Sequence, residues 1–446
     1  MIVLKFGGSS VRDAGMIERV LEIVSNALDE APLLVSSAMG KTTDALVAVS
    51  AAAVSGHQKQ VGELLDALWE SHRKAVEDLC RGERREETVA RVRELFDELR
   101  GLAHGVSLIR ECSPRTADAL LSFGERLSTT VIAAAALERG IDATLVDART
   151  LIATNDAFGA AAPDMVRTTS QVQRLVKPAA GKLVVTQGFI GSHNGLTTTL
   201  GRGGSDFTAT ILGAALRADR VEIWTDVNGI MTADPRIIPS ARSLDLLSYD
   251  EAAELAYFGA KVVHPSTITP AVEQRIPVIV RNTAEPRAAG TTIGAGTGDA
   301  GVRAIASKSD VTLVTVESSR MLNAFGFLHA LFEVFDQHSV SVDLIATSEV
   351  SVSMTVDETV SVGPLVRDLE KLGTVSVERE KSIICIVGRG MLQSSEFLSG
   401  VFASIAPTPI RLISLGSSDI NLSIVVSQEA AKKTLTALHD HLFPGR

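Results

Sequence analysis

Ile2-Val3-Leu4-Lys5-Phe6-Gly7-Gly8-Ser9-Ser10 opens the chain with a short, mostly apolar run closed by two glycines. Such a run is a buried strand that ends in a tight loop. Past the loop, Ile17, Val20, Leu21, Val24 and Leu28 share one helical face, and Ser10 with Asp13 three residues on carries a capping-box signal. Strand, glycine turn and amphipathic helix make one α/β unit. Further strands are predicted at Pro32–Ser36, 182–186 and 221–225, each flanked by helical periodicity. This alternation predicts an α/β fold with a mainly parallel sheet between helices. Residues 51–100 are charged and helical, and 116–138 is a long alanine-rich helix, so this region reads as a helical insert on the sheet.

The chain has 446 residues, and at roughly 150 residues per domain it has room for about three. With 45% hydrophobic and 22% charged residues, neither disorder nor a disulfide-stapled miniprotein fits. A net charge of -10 repels nucleic acid as a partner, although a small anion can still bind locally. Cys80, Cys112 and Cys385 are far apart and lack C-x-x-C spacing, so they read as reduced thiols rather than zinc ligands or a redox pair. No basic leader followed by an apolar stretch opens the chain, and no segment approaches about 18 uninterrupted apolar residues. A cytoplasmic protein without membrane association is expected.

Residues 288–301 lose periodicity and read as a linker. Beyond them the stretch around Leu344-Ile345-Ala346-Thr347-Ser348 is echoed by Leu412-Ile413-Ser414-Leu415-Gly416. Each copy follows a strand and a helix: 311–316 with 327–335, and 383–387 with 397–405. Leu328, Leu331, Phe332 and Phe335 form a helical stripe, whereas Val350, Val352 and Met354 alternate as in a half-buried strand. Two ferredoxin-like βαββαβ repeats are expected.

Lys5 shares one side of the first strand with Val3. An ammonium before Gly7, Gly8 and Ser9 suits nucleotide phosphates at a helix N-terminus. Since the segment is neither G-x-x-x-x-G-K-[ST] nor G-x-G-x-x-G, a strand-end lysine before a turn reads equally well. Leu200-Gly201-Arg202-Gly203-Gly204-Ser205-Asp206 precedes a second amphipathic helix, with Ser205 as expected N-cap and Asp206 complementing the dipole. Capping leaves Arg202 unexplained, and its guanidinium beside glycines suits bidentate capture of a carboxylate. Glu125, in Ser122-Phe123-Gly124-Glu125-Arg126-Leu127-Ser128, is by itself most simply a charge on a wet helix face. Trp224-Thr225-Asp226-Val227-Asn228-Gly229 ends a strand at the edge where α/β sheets hold ligands. Asp234-Pro235-Arg236 is compatible with a plain turn, Lys261 with a surface lysine, and His264 before Pro265 with a structural role.

In this order, the segments around Lys5, Glu125, Arg202, Thr225 and Lys261 resemble the aspartokinases of the amino acid kinase superfamily, and the tail resembles their tandem ACT domains. The resemblance implies an amino acid kinase domain over 1–295 and ACT domains over 305–378 and 380–446. It implies ATP-dependent phosphorylation of the L-aspartate side chain to 4-phospho-L-aspartate, the first step towards lysine, threonine and methionine, with Mg²⁺ bridging nucleotide oxygens. Lys5, oriented by Asp206, would stabilise the transferring phosphoryl group. Arg202 would hold the substrate α-carboxylate and Glu125 its ammonium, with Thr43, Gly203, Gly204 and Ser205 completing that site. Lys5, Gly7, Gly8, Ser9, Thr225, Asp226, Met231, Arg236, Lys261 and Val262 would surround ATP; Met231 stands where some relatives carry tyrosine and can offer only an apolar contact. No direct protein ligand of a metal is assigned.

The same resemblance assigns an effector site to Met321, Phe327, Leu328, Val342, Asp343, Ser348 and Glu349, with L-lysine as the expected feedback inhibitor. The residues alone allow Asp343 to cap a strand end and Glu349 to be a turn charge. A homodimer or larger assembly through the ACT domains is expected, and the length argues against a fused homoserine dehydrogenase. Two alternatives remain at this level: a kinase of glutamate or N-acetylglutamate, and an inactive fold kept as an amino-acid sensor.

Overall fold

Every residue of the strand Ile2–Phe6 is buried, as a strand in the middle of a parallel sheet requires. The computed structural model describes residues 1–259, 263–296, 300–322, 325–359, 361–416 and 418–444, apart from the side chain of Leu392. Around the first strand the order is Asp142–Val146, Lys182–Gln187, Pro32–Ser36, Ile2–Phe6, Arg220–Thr225 and Val278–Asn282, all parallel, followed by antiparallel Thr291–Gly294. Lys5 sits in register with Val35 on one side and Ile223 on the other. Because these strands are parallel, the loops after Phe6, Ser36, Gln187 and Thr225 all leave from one edge.

The expected capping box at Ser10 does not form. Ser10 is buried, its hydroxyl 2.7 Å from Thr283 Oγ1 and 3.3 Å from the Trp224 carbonyl. Gly8–Val11 closes a 3-10 turn instead, and Asp13 caps the helix Ala14–Ser25 by accepting from the Met16 N–H. The helical insert comprises Thr42–Val54, Gln58–Leu79 and Gly82–Ile109, and Leu65, Val76, Phe96 and Leu99 join one core with Ile17, Leu21 and Leu127. The predicted helix over 116–138 is two helices, Pro114–Leu121 and Phe123–Glu138, meeting at Ser122. Residues 114–138 are long and apolar enough to cross a membrane, yet 78% of their most apolar window is buried within the fold.

The chain divides into two compact units, Met1–Ile230 with Val262–Gly296, and Met231–Lys261 with Thr297–Arg446. Residues 231–259 therefore pack with the tail, although the boundary at 295 would leave them in the kinase domain. Their apolar side chains explain this. Ala233 and Ile238 enter a core with Ile305, Ile384 and Leu435, and the Thr232 hydroxyl lies 3.0 Å from Nε2 of buried His439.

The second unit contains one six-stranded antiparallel sheet ordered Ile345–Thr347, Ser351–Asp357, Gly301–Glu317, Thr374–Arg389, Asn421–Ser427, Leu412–Leu415. The two long strands serve both repeats. Residues 311–317 pair with 374–381 in the first repeat, whereas 301–308 pair with 383–389 in the second. Asp310 (φ 59°) and Glu380 (φ 55°) mark the crossing points, where the pairing register also shifts. The second repeat thus borrows a strand that precedes the first, and no single cut between 378 and 380 separates them.

Candidate active site

A cavity of about 300 Å³ opens among Lys5, Gly8, Ser37, Ala38, Gly40, Thr43, Glu125, Phe189, Gly201, Gly203, Gly204, Ser205 and Asp206. Residues from five distant segments meet there: the strands before Gly8, Ser37 and Phe189 end at one edge of the sheet, Glu125 comes from the helix Phe123–Glu138, and Gly201–Asp206 lead into the helix Gly204–Leu216. Lys5 Nζ lies 2.6 Å from Asp206 Oδ1, in an ion pair whose side chains are only 10% and 13% exposed. Gly8 permits the close approach of the loop after Pro32–Ser36: a Cβ there would lie 2.9 Å from the Gly40 carbonyl oxygen and 3.0 Å from that of Ala38. The Gly7 N–H donates to the Trp224 carbonyl, which leaves Gly8 and Ser9 to present donors at the start of the 3-10 turn.

Glu125 is 3% exposed, not on a wet face. Gly124 makes this possible, since a Cβ at that position would stand 2.8 Å from the Ala38 Cβ. Glu125 Oε1 accepts from the Ala38 N–H at 3.1 Å, while buried Oε2 has no partner among the described residues. Burial pushes its carboxyl up to about 8, against the smaller lowering by the Ala38 N–H. A half-satisfied buried carboxyl facing a cavity is suited to a cationic ligand.

The helix Gly204–Leu216 starts from Gly203 in the left-handed region (φ 70°), so Ser205 lies in its first turn and is not the N-cap. Gly203 also abuts Thr267, whose Cγ2 would lie 2.9 Å from a Cβ there. Arg202 is exposed, lies outside the cavity lining and makes no ion pair with any described residue. Thr225 and Asp226 form a hydroxyl-carboxylate contact at the end of their strand. Met231 bridges Ser243 and Arg236 pairs with Asp234; both belong to the second unit. Lys261 and Val262 lie outside the described residues. His264 precedes the helix Pro265–Glu273, its ring 2.8 Å from the Ser266 hydroxyl.

Ser37, Ala38, Gly40 and Phe189 line the cavity without having been singled out by sequence. Their only linear signal is position just after a strand. Phe189 carries φ 67°, a conformation that costs a bulky residue energy, and its ring packs where a Gly204 Cβ would go. Among the described residues no three His, Cys, Asp or Glu side chains assemble as a metal cluster.

Of the effector candidates, Met321 closes a 3-10 turn, Phe327 and Leu328 begin the helix Phe327–Gln337, and Ser348 and Glu349 are exposed. Val342 is half-buried beside Asp343, whose carboxylate is already engaged. Lys308 Nζ lies 2.8 Å from both Asp343 oxygens and 2.8 Å from Asp357 Oδ1, and the Tyr257 hydroxyl donates to Asp343 Oδ1 at 2.9 Å. Burial lowers the Lys308 ammonium's pKa, but the two carboxylates outweigh it and hold it above the usual value.

An amino acid kinase family model matches residues 1–282, and an ACT domain model matches 384–442. The chain is 39% identical to lysine-sensitive aspartokinase 3 of Escherichia coli K12, with 99% of each chain covered. It belongs to the aspartokinase family. The chain is also 36% identical to chloroplastic aspartokinase 2 of Arabidopsis thaliana, over 99% of this chain and 84% of that one. Two solved structures of E. coli aspartokinase III are similar at 38% identity. The complex with aspartate and ADP has a TM-score of 0.85 over 99% of this chain and 100% of that one. The complex with lysine and aspartate has a TM-score of 0.82 over 99% of each. This full-length likeness matches the aspartokinase family resemblance of the five motifs and tail.

Proposed function

We propose that this chain phosphorylates the side-chain carboxylate of L-aspartate with ATP, releasing ADP and 4-phospho-L-aspartate. The observation that carries this reading is that one cavity holds both the Lys5–Asp206 pair and Glu125, whose Oε2 has no partner among the described residues. A carboxylate acceptor is ionised at neutral pH, with a reference pKa of about 3.9, so no general base is needed. Alignment and charge neutralisation suffice. Lys5, steered by Asp206, neutralises the transferring phosphoryl group, aided by the Gly8 and Ser9 N–H groups. Glu125 takes the substrate ammonium, Arg202 folds onto its α-carboxylate, and Thr43 and Ser205 supply hydroxyls. Together they select an amino acid over a simple diacid. Thr225, Asp226, Met231, Arg236, Lys261 and Val262 remain assigned to ATP. Among the described residues no three His, Cys, Asp or Glu side chains gather, so Mg²⁺ would arrive with the nucleotide and would offset its phosphate charge.

Aspartate-dependent ADP release with hydroxylamine trapping of the acyl phosphate tests the reading. A strong trapped signal with aspartate is expected. Faster turnover of glutamate would move the chain to another acyl-phosphate kinase, and no turnover would make it a sensor.

The tail is assigned to feedback inhibition by L-lysine. Asp343 supports this because its carboxylate holds an ammonium already, that of Lys308, showing the chemistry that an effector's amino group would use. Asp343→Ala is expected to raise the lysine concentration for half inhibition about tenfold or more while leaving uninhibited kcat nearly unchanged. An unchanged inhibition curve, or inhibition by threonine alone, would overturn the assignment. Exposed Leu328, Phe332, Ile345 and Val350 support pairing of two copies through the ACT region, and a monomer mass by light scattering would exclude it. The three cysteines are free thiols, consistent with a cytoplasmic enzyme.

A further inference from the structure

Asp118 is a carboxylate that the reaction does not use, yet it is 1% exposed. It lies in the helix Pro114–Leu121, and no Lys, Arg or His among the described residues pairs with it. Three donors take the place of a cation. Asp118 Oδ1 accepts from the Thr199 hydroxyl at 2.8 Å, and Oδ2 accepts from the Thr199 N–H at 2.9 Å and the Gly159 N–H at 3.0 Å. Buried charge is costly unless such bonds satisfy it, so the donors must be held in place together.

The donors come from two segments that meet behind the cavity. Thr199 ends the strand Leu196–Thr199, and the next residues are Leu200, Gly201 and Arg202. Its carbonyl accepts from the Ala161 N–H at 2.8 Å, so both backbone groups of Thr199 are committed on the side of Asp118 and the 155–162 loop. Asn155 closes that loop, accepting from the Ala162 N–H at 2.9 Å. Gly159 and Ala160 then press on Gly201: a Cβ there would lie 3.2 Å from the Gly159 oxygen and 3.4 Å from the Ala160 Cα. On the other side the Leu200 N–H donates to the carbonyl of Phe189, another cavity residue.

We infer that Asp118 is a positioning residue for the aspartate site: it locks Thr199 and Gly159 so that the Gly201–Ser205 loop, and Arg202 with it, is presented at one angle to the substrate. This rests on the proposed aspartate-binding role of that loop. Leucine is the informative replacement, since it keeps the bulk and leaves the Thr199 hydroxyl and the two N–H groups without an acceptor. Asparagine is the conservative control: turned so that Oδ1 accepts from both N–H groups, its NH₂ donates to the Thr199 hydroxyl.

In Asp118→Leu the aspartate KM is expected to rise roughly 10- to 100-fold, the scale that a misplacement of about 1 Å carries, with the ATP KM within about twofold of wild type and Asp118→Asn close to wild type in both. Thr199→Val, which keeps the fold's β-branched shape and deletes only the hydroxyl, is expected to raise the aspartate KM several-fold, and Thr199→Ser to restore it. Amide exchange gives a readout independent of turnover: Leu200 to Ser205 should exchange faster in Asp118→Leu, with Ile2–Phe6 unchanged. Unchanged exchange at 200–205, or aspartate and ATP KM values that stay put or rise together, would overturn the inference. Should wild-type protein not phosphorylate aspartate, the functional reading fails by itself, and the exchange measurement still decides whether Asp118 holds the loop.

Discussion

Lys5→Ala is expected to lower kcat for aspartate phosphorylation by about 1,000-fold, the loss that follows removal of a preorganised charge from a transition state. The variant also leaves Asp206 in the cavity wall without its 2.6 Å partner. Breaking a buried ion pair costs about 3–5 kcal/mol, so thermal unfolding should shift down as well. The double variant Lys5→Ala/Asp206→Ala separates the two effects, since it should regain much of the stability and none of the activity. Coupled ADP release and thermal melts on the same preparations check both. A Lys5→Ala enzyme within tenfold of wild type would show that the phosphoryl group is stabilised elsewhere.

Glu125→Gln should reduce kcat/KM for aspartate by about 100- to 1,000-fold and, at pH 8 or above, raise the melting temperature. The first effect follows from deleting the charged partner of a buried ammonium. The second follows from the carboxyl's shift from 4.5 to about 8, caused by burial. Between those values the folded protein keeps a proton that the unfolded chain has released, so stability falls as pH rises through the window and levels off above it. A neutral glutamine removes that slope. Because substrate ammonium needs the ionised form, wild-type affinity for aspartate should increase as pH rises towards about 8, whereas the variant's should stay flat there. A flat wild-type profile would mean that Glu125 does not face the substrate amino group.

These two residues differ in how far they could be read without a structure. Lys5 sits in a five-residue apolar run before two glycines, so its strand, its loop and its suitability for phosphate are all local properties. Glu125 looks like any helix charge. Only Gly124 hints otherwise, and the hint acquires meaning once Ala38 is seen to fill the space that a Cβ would need. Ser205 and Ser10 show the reverse case: both carry capping signals, yet Gly203 and Asp13 cap those helices because the serines' places are set by tertiary neighbours.

The linear sequence by itself determined the α/β alternation, the glycine loops at the strand ends, the repeated tail and the ordered motifs that mark the aspartokinase family. Each depends on periodicity or on residue types a few positions apart. Tertiary structure alone decided that Glu125 is buried, that Asp118 gathers three donors, that Asp343 already holds Lys308, and that 301–308 completes the second repeat rather than the first. It also decided that 231–259 packs with the tail. The physical reason is common to all of these: desolvation, ion pairing and strand pairing depend on partners that are distant in sequence, and a residue's charge or shape does not say which partner will reach it.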